Sequence, residues 1–205
     1  MYTMGSHSRM AVRAVFALTL ILALGPAPTY ADVSGTWETT GLTRIVVSSP
    51  AFPQSQPERT VDIADGSYVF DAAKSFSAGD IIGTWRQRSG AYTVFPDRAA
   101  LEDAYRQALL ASKDPPVVNK VRLVQTRIAG SELDNGIWGT ETYVYKLDLG
   151  EGTQRQLLRV AMTVRVAGQR PNLGIAANAS IIPAINRVDA AAAAALKFWQ
   201  NHPQP

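Results

Sequence analysis

The stretch Gln154–Ala167 sets Leu158, Val160, Met162, Val164 and Val166 at alternate positions, with Arg155, Arg159, Thr163 and Arg165 between them. Side chains of an extended chain point to opposite faces in turn, so this pattern predicts a strand with one face buried and one in water. Such a strand needs neighbours that bury the same face. Val117–Ala129, running to Asn135-Gly136, and Ile137–Leu149, running to Gly150-Glu151-Gly152, are two of them. Upstream, Val33–Thr39 and Leu42–Ser49 flank Thr40-Gly41, and Arg59–Ile63 and Ser67–Phe70 flank Ala64-Asp65-Gly66, where Asp-Gly favours a hairpin. Ile81–Phe95 reads as two short strands around Ser89-Gly90. Ser49–Pro57 holds prolines that donate nothing to a ladder and reads as a loop, as does Asp71–Gly79.

Helical spacing interrupts this pattern twice. In 97–112, Leu101, Ala104, Tyr105, Ala108 and Leu109 form one stripe, Asp97 suits the N-cap, and Asp114-Pro115-Pro116 ends the helix. A second helix over 186–200 is rich in alanine, with Val188, Ala192, Ala195, Leu196 and Trp199 on one face. The expected fold is therefore mainly β: a single antiparallel up-and-down meander of about nine strands, closing into a barrel that removes exposed edges. The sequence does not decide between barrel and sandwich.

The first residues have another character. Arg13 precedes an apolar run to Leu24, Gly25-Pro26 breaks it, and Thr29-Tyr30-Ala31 offers small residues. This is the form of a secretory signal peptide cleaved after Ala31, too short in its apolar part to span a bilayer. It leaves 32–205 as a single β-barrel-like domain, with no transmembrane segment in the mature protein and a periplasmic or extracellular setting. The absence of cysteine excludes a lipid attached at that residue. The net charge of +3 is small, and Lys and Arg are scattered along the chain, which argues against nucleic acid as a partner.

Side-chain chemistry narrows function mostly by exclusion. One histidine, His7, lies in the signal and the other, His202, in what reads as a frayed tail at Asn201–Pro205. A His-based triad, a typical zinc or copper site and a His-ligated haem are then not expected, nor any cofactor or metal. Glu102 and Asp103 read as a solvated helix face, and Asp62 and Asp65 as turn supports. Glu141 shares a strand face with Tyr143 and Tyr145, so it either points into a cavity or pairs with a base such as Lys120, Arg155 or Arg159. The aromatics Trp85, Tyr92, Trp138, Tyr143 and Tyr145 either fill the core or, with Glu141, line an interior pocket. The loop Gly168–Pro183 contains Asn178-Ala179-Ser180, a glycosylation pattern of little weight here.

Three tryptophans follow glycine at the same spacing: Gly35-Thr36-Trp37, Gly83-Thr84-Trp85 and Gly136-Ile137-Trp138. The first resembles the Gly-x-Trp that opens the first barrel strand of lipocalins and their calycin relatives, and Thr140-Glu141-Thr142-Tyr143 echoes that family's Thr-Asp-Tyr. The resemblance implies a barrel with Trp37 packed at its closed end, and sequestration of a small apolar ligand. The expectation is thus an exported, non-enzymatic protein that binds a small hydrophobic or amphipathic ligand, such as a lipid, in its interior. The alternative is an envelope protein-interaction module with a filled core, meeting another protein through its loops.

Overall fold

A computed structural model describes residues 32–53, 58–133, 135–171 and 187–202, with the backbone alone for 58–65. The expected signal peptide and its cleavage point, Pro57, the Asn178-Ala179-Ser180 pattern and most of the loop Gly168–Pro183 lie outside these residues. The side chains of Asp62 and Asp65 do too.

Eight strands form the sheet: β1 (Gly35–Ser48), β2 (Glu58–Phe70), β3 (Ser75–Ala78), β4 (Ile81–Arg88), β5 (Ala91–Pro96), β6 (Val118–Leu133), β7 (Gly136–Leu149) and β8 (Gln156–Gln169). Each pairs antiparallel with the next, and β8 returns to β1 from Glu38↔Gln169 to Ser48↔Arg159, so the sheet closes into a barrel. The expected barrel is there, with eight strands in place of about nine. Thr40-Gly41 is a bulge within one strand, not a turn between two, and Asp65-Gly66 likewise lies within β2. Asp71–Gly79, expected as a loop, contains the four residues of β3.

Alternation sorts the walls as the pattern requires. Leu158, Val160, Met162, Val164 and Val166 of β8 are buried, as are Ile137, Glu141, Tyr143, Tyr145, Leu147 and Leu149 of β7. Two helices follow the expected spacings. In α1 (Arg98–Leu110) the Asp97 carboxylate accepts from the N–H groups of Ala99 and Ala100 at 3.0 and 3.1 Å, and Leu101, Tyr105 and Leu109 are buried. In α2 (Arg187–Asn201) Val188, Ala191, Ala192, Ala195 and Phe198 turn inward. The Tyr105 hydroxyl joins the helices by donating to the Ala191 carbonyl at 2.9 Å.

Three expectations at these helices are corrected. Glu102 is not on a solvated face: its Oε1 accepts from the Leu123 N–H at 2.8 Å, where β6 is bulged and its backbone needs an outside partner. Arg98 and Arg106 answer from the same helix, donating to the carbonyls of Leu123 and Val118. Phe198, not Trp199, is the deeply buried aromatic of α2, Trp199 being only partly covered. His202 is packed, its ring stacked on Phe198 at 4.2 Å and near Phe52 at 5.2 Å, while its carbonyl accepts from Gln156.

The end at which β1 begins is closed by the segment before it. Trp37 is fully buried, its Nε1 donates to the Val33 carbonyl at 2.8 Å, and the Arg170 guanidinium lies 4.4 Å above its ring. Arg170 also donates to the carbonyls of Ser34 and Asp32. A cation over an indole that also satisfies two carbonyls of the segment before β1 fastens this end.

Candidate functional site

The barrel interior is built from rings. Phe70 lies 5.1 to 5.9 Å from Tyr68, Phe76, Trp85 and Tyr92, at steep angles, and all five are buried. Such edge-to-face contacts fill space to the density of a protein core. Nearer the helices Tyr145 packs on Tyr105 at 4.4 Å.

Among these rings sits one full charge pair. Glu141 is 1 % exposed, and its two oxygens are taken up: Oε1 accepts from the Tyr68 hydroxyl, and Oε2 from the Tyr143 hydroxyl at 2.8 Å. Arg187, from the first turn of α2, brings its Nε to 2.8 Å from Oε2, an ion pair more than an aligned hydrogen bond. Burial is the largest single influence and acts to lower the Arg187 pKa, but the attractions of Glu141, Tyr68, Tyr143 and Asp80 together outweigh it and the pKa ends raised. Burial, and then repulsion by Glu141, pushes Tyr68 and Tyr143 well above the ordinary phenol value. These four residues come from β2, β7 and α2, so the network ties the second helix into the barrel. Asp80, at the turn between β3 and β4, helps: its Oδ2 accepts from the Val188 N–H at 3.3 Å, and burial raises its pKa.

A buried carboxylate with both oxygens occupied by neighbours is poorly placed for proton transfer. Among the described residues no three of His, Cys, Asp and Glu gather as metal ligands would.

Trp85, Tyr92, Tyr143, Tyr145 and Glu141 all face the interior, as the sequence led one to expect of a core or a pocket. Trp138 does not. It has the opposite parity to Glu141 on β7 and is 57 % exposed on the outer wall. It borders a shallow hollow of about 380 Å³, together with Thr140, Arg165 and the backbones of Gly130 and Gly139. Those two glycines face each other in register, and their inner side is taken by the Tyr92 ring, whose hydroxyl a Cβ on either would strike.

The same wall holds what a reading of the linear sequence could not find. Arg122 pairs across the sheet with Lys146, and Lys146 with Arg159, so three exposed cations form one row. Arg127 and Arg165 lie exposed on the same face nearer the hollow. Among the described residues none of these five makes an ion pair, whereas Asp148, at the margin, is held by Arg155 at 2.6 Å. Lys and Arg are scattered in sequence but gathered by register. Like charges directly opposite are destabilising by a few tenths of a kcal/mol up to about 1 kcal/mol, so packing does not account for the row.

No protein-family model matches this chain, and no curated protein matches it.

Proposed function

We propose that the chain is a non-catalytic binding module of the cell envelope, in which the barrel is a filled scaffold and the outer surface does the binding. The observation that carries this reading is the interior itself, where four aromatic rings packed around Phe70 and a satisfied Glu141–Arg187 pair occupy the space a ligand would need. The leader-like sequence before Asp32 supports the setting. A non-catalytic role accords with the occupied oxygens of Glu141 and with the packing of the His202 ring against Phe198 and Phe52.

A second reading, an interior carrier of a small amphipathic ligand as the lipocalin resemblance implies, has one observation in its favour. The hydroxyls of Tyr92 and Tyr145 and one oxygen of Asp80 are buried with no partner among the described residues. A polar headgroup entering between the helices and the sheet would satisfy Tyr145 and Asp80.

Mass spectrometry of the purified protein, sprayed under native conditions and again after denaturation, separates the two. The expected result is the bare polypeptide mass in both, also after incubation with fatty acids and phospholipids below their vesicle-forming concentrations. A discrete extra mass that disappears on denaturation overturns the filled-scaffold reading in favour of the carrier.

A further inference from the structure

The outer wall of β6, β7 and β8 combines two features that separately would mean little. One is the cation row Arg122–Lys146–Arg159 with Arg127 and Arg165 beyond it, all exposed. From the row to the level of Arg165 the other outward positions of the three strands, besides Arg127, are Gln125, Val144, Ala161, Thr142, Thr163, Ala129 and Thr140, with no acid among them. The other is apolar surface on the same face. Trp138 is 57 % exposed beside Arg165, and Leu42 of β1, opposite Arg165, is 47 % exposed. Beyond the cation row, Leu157 of β8 also stands out from the wall.

From this juxtaposition we infer that the β6–β8 wall is a docking surface for an anionic lipid bilayer. The inference rests on the surface-binding reading above and names its partner. Phosphate headgroups would neutralise the row, whose charges repel one another as long as it faces only water. A soluble polyanion would meet the same charge, but it has no use for an exposed indole and leucines at the margins. A bilayer does: tryptophan settles at the headgroup level, with its ring among the first acyl carbons and its N–H still hydrated. The wall therefore meets the membrane side-on, with cations in the middle and apolar anchors at the edges. Nothing crosses the bilayer in this arrangement. It is the mixed signal, charge plus modest apolar area, that gives reversible peripheral binding.

The experiment is sedimentation of the full mature chain with vesicles of phosphatidylglycerol mixed into phosphatidylcholine, against vesicles of phosphatidylcholine alone. Binding is expected only to the first, and is expected to weaken as salt rises. The combined variant Arg122→Gln, Lys146→Gln and Arg159→Gln is expected to lose on the order of a hundredfold in partition, since each cation near an anionic surface contributes about a fivefold factor. This variant removes a repulsion, so its thermal midpoint should hold or rise, which separates lost binding from lost fold. Independently, brominated acyl chains are expected to quench the fluorescence of the wild type, and Trp138→Phe to abolish most of that quenching. Equal binding to both vesicles, undiminished binding by the triple variant, or capture by heparin without any binding to vesicles would each overturn the inference. An extra mass in the native spray would instead overturn the filled scaffold, so the two failures are told apart.

Discussion

Strand β7 carries Glu141 on its inner face and Lys146 on its outer face, five positions apart, and the two live under opposite rules. Inside, a charge without a partner would cost several kcal/mol, so Glu141 is met by a guanidinium and two phenols drawn from three different elements. Outside, water screens Lys146 so well that it can stand between Arg122 and Arg159 with no ion-pair partner among the described residues. Complete neutralisation in the interior is therefore a requirement of folding and says little about function. Incomplete neutralisation on the surface is not required by folding, and it is the feature that points to a partner.

The contrast can be broken most severely from the inside. Glu141→Ala leaves the Arg187 guanidinium buried and alone and is expected to lower the unfolding free energy by about 3–5 kcal/mol in urea titrations. Glu141→Leu combined with Arg187→Met should recover part of that loss, because it removes both charges, while the Tyr68 and Tyr143 hydroxyls still lack their acceptor. A loss under about 1 kcal/mol for the single change would show that the network is not structural.

A pH titration makes the next largest test. In the unfolded chain the phenols of Tyr68 and Tyr143 lose their protons near 10.0, but in the fold they hold them to higher pH. The folded state then binds more protons than the unfolded one above that value, so stability is full below it and falls as pH climbs past it. Phenolate absorbance from these rings is expected to rise together with the loss of far-ultraviolet circular dichroism. Ionisation of buried tyrosine in a protein still folded would contradict the tight interior.

The smallest effect belongs to the surface. Lys146→Glu places an acid between two arginines and is expected to raise the unfolding free energy by about 0.2–1 kcal/mol at low salt, with the gain fading as salt is added. A loss of stability would mean that the row is already compensated in solution.

Much of the barrel was legible because strand alternation is a local property. The inward set of β8 and the cap at Asp97 follow from neighbouring residues alone. The parity of Trp138 was legible in the same way, since it is odd against even relative to Glu141, Tyr143 and Tyr145, and grouping it with the interior rings overlooked that signal. Other features are not local. Arg187 begins an alanine-rich helix and looks like a solvated cation until the fold sets it beside Glu141. Tyr68 is one more tyrosine until register brings its hydroxyl to the same carboxylate. The cation row is three unrelated positions until β6, β7 and β8 align, and no scan for charge runs along the chain would collect them. β3 is too short for alternation to mark, and its pairing with β2 and β4 supplies what four residues cannot.

The pairing of Glu38 with Gln169 has a consequence in time. The last ladder joins the first strand to the eighth, so a chain leaving the ribosome or a translocation pore cannot complete its sheet until almost all of it has emerged. Contacts this distant along the chain slow the search for the native state. Meanwhile β1 waits with an unpaired edge, the part of an immature sheet most prone to join a stranger. Closure ends that exposure in a single late step, so a chain cut short before Gln156 would keep its first strand as an open and adhesive margin.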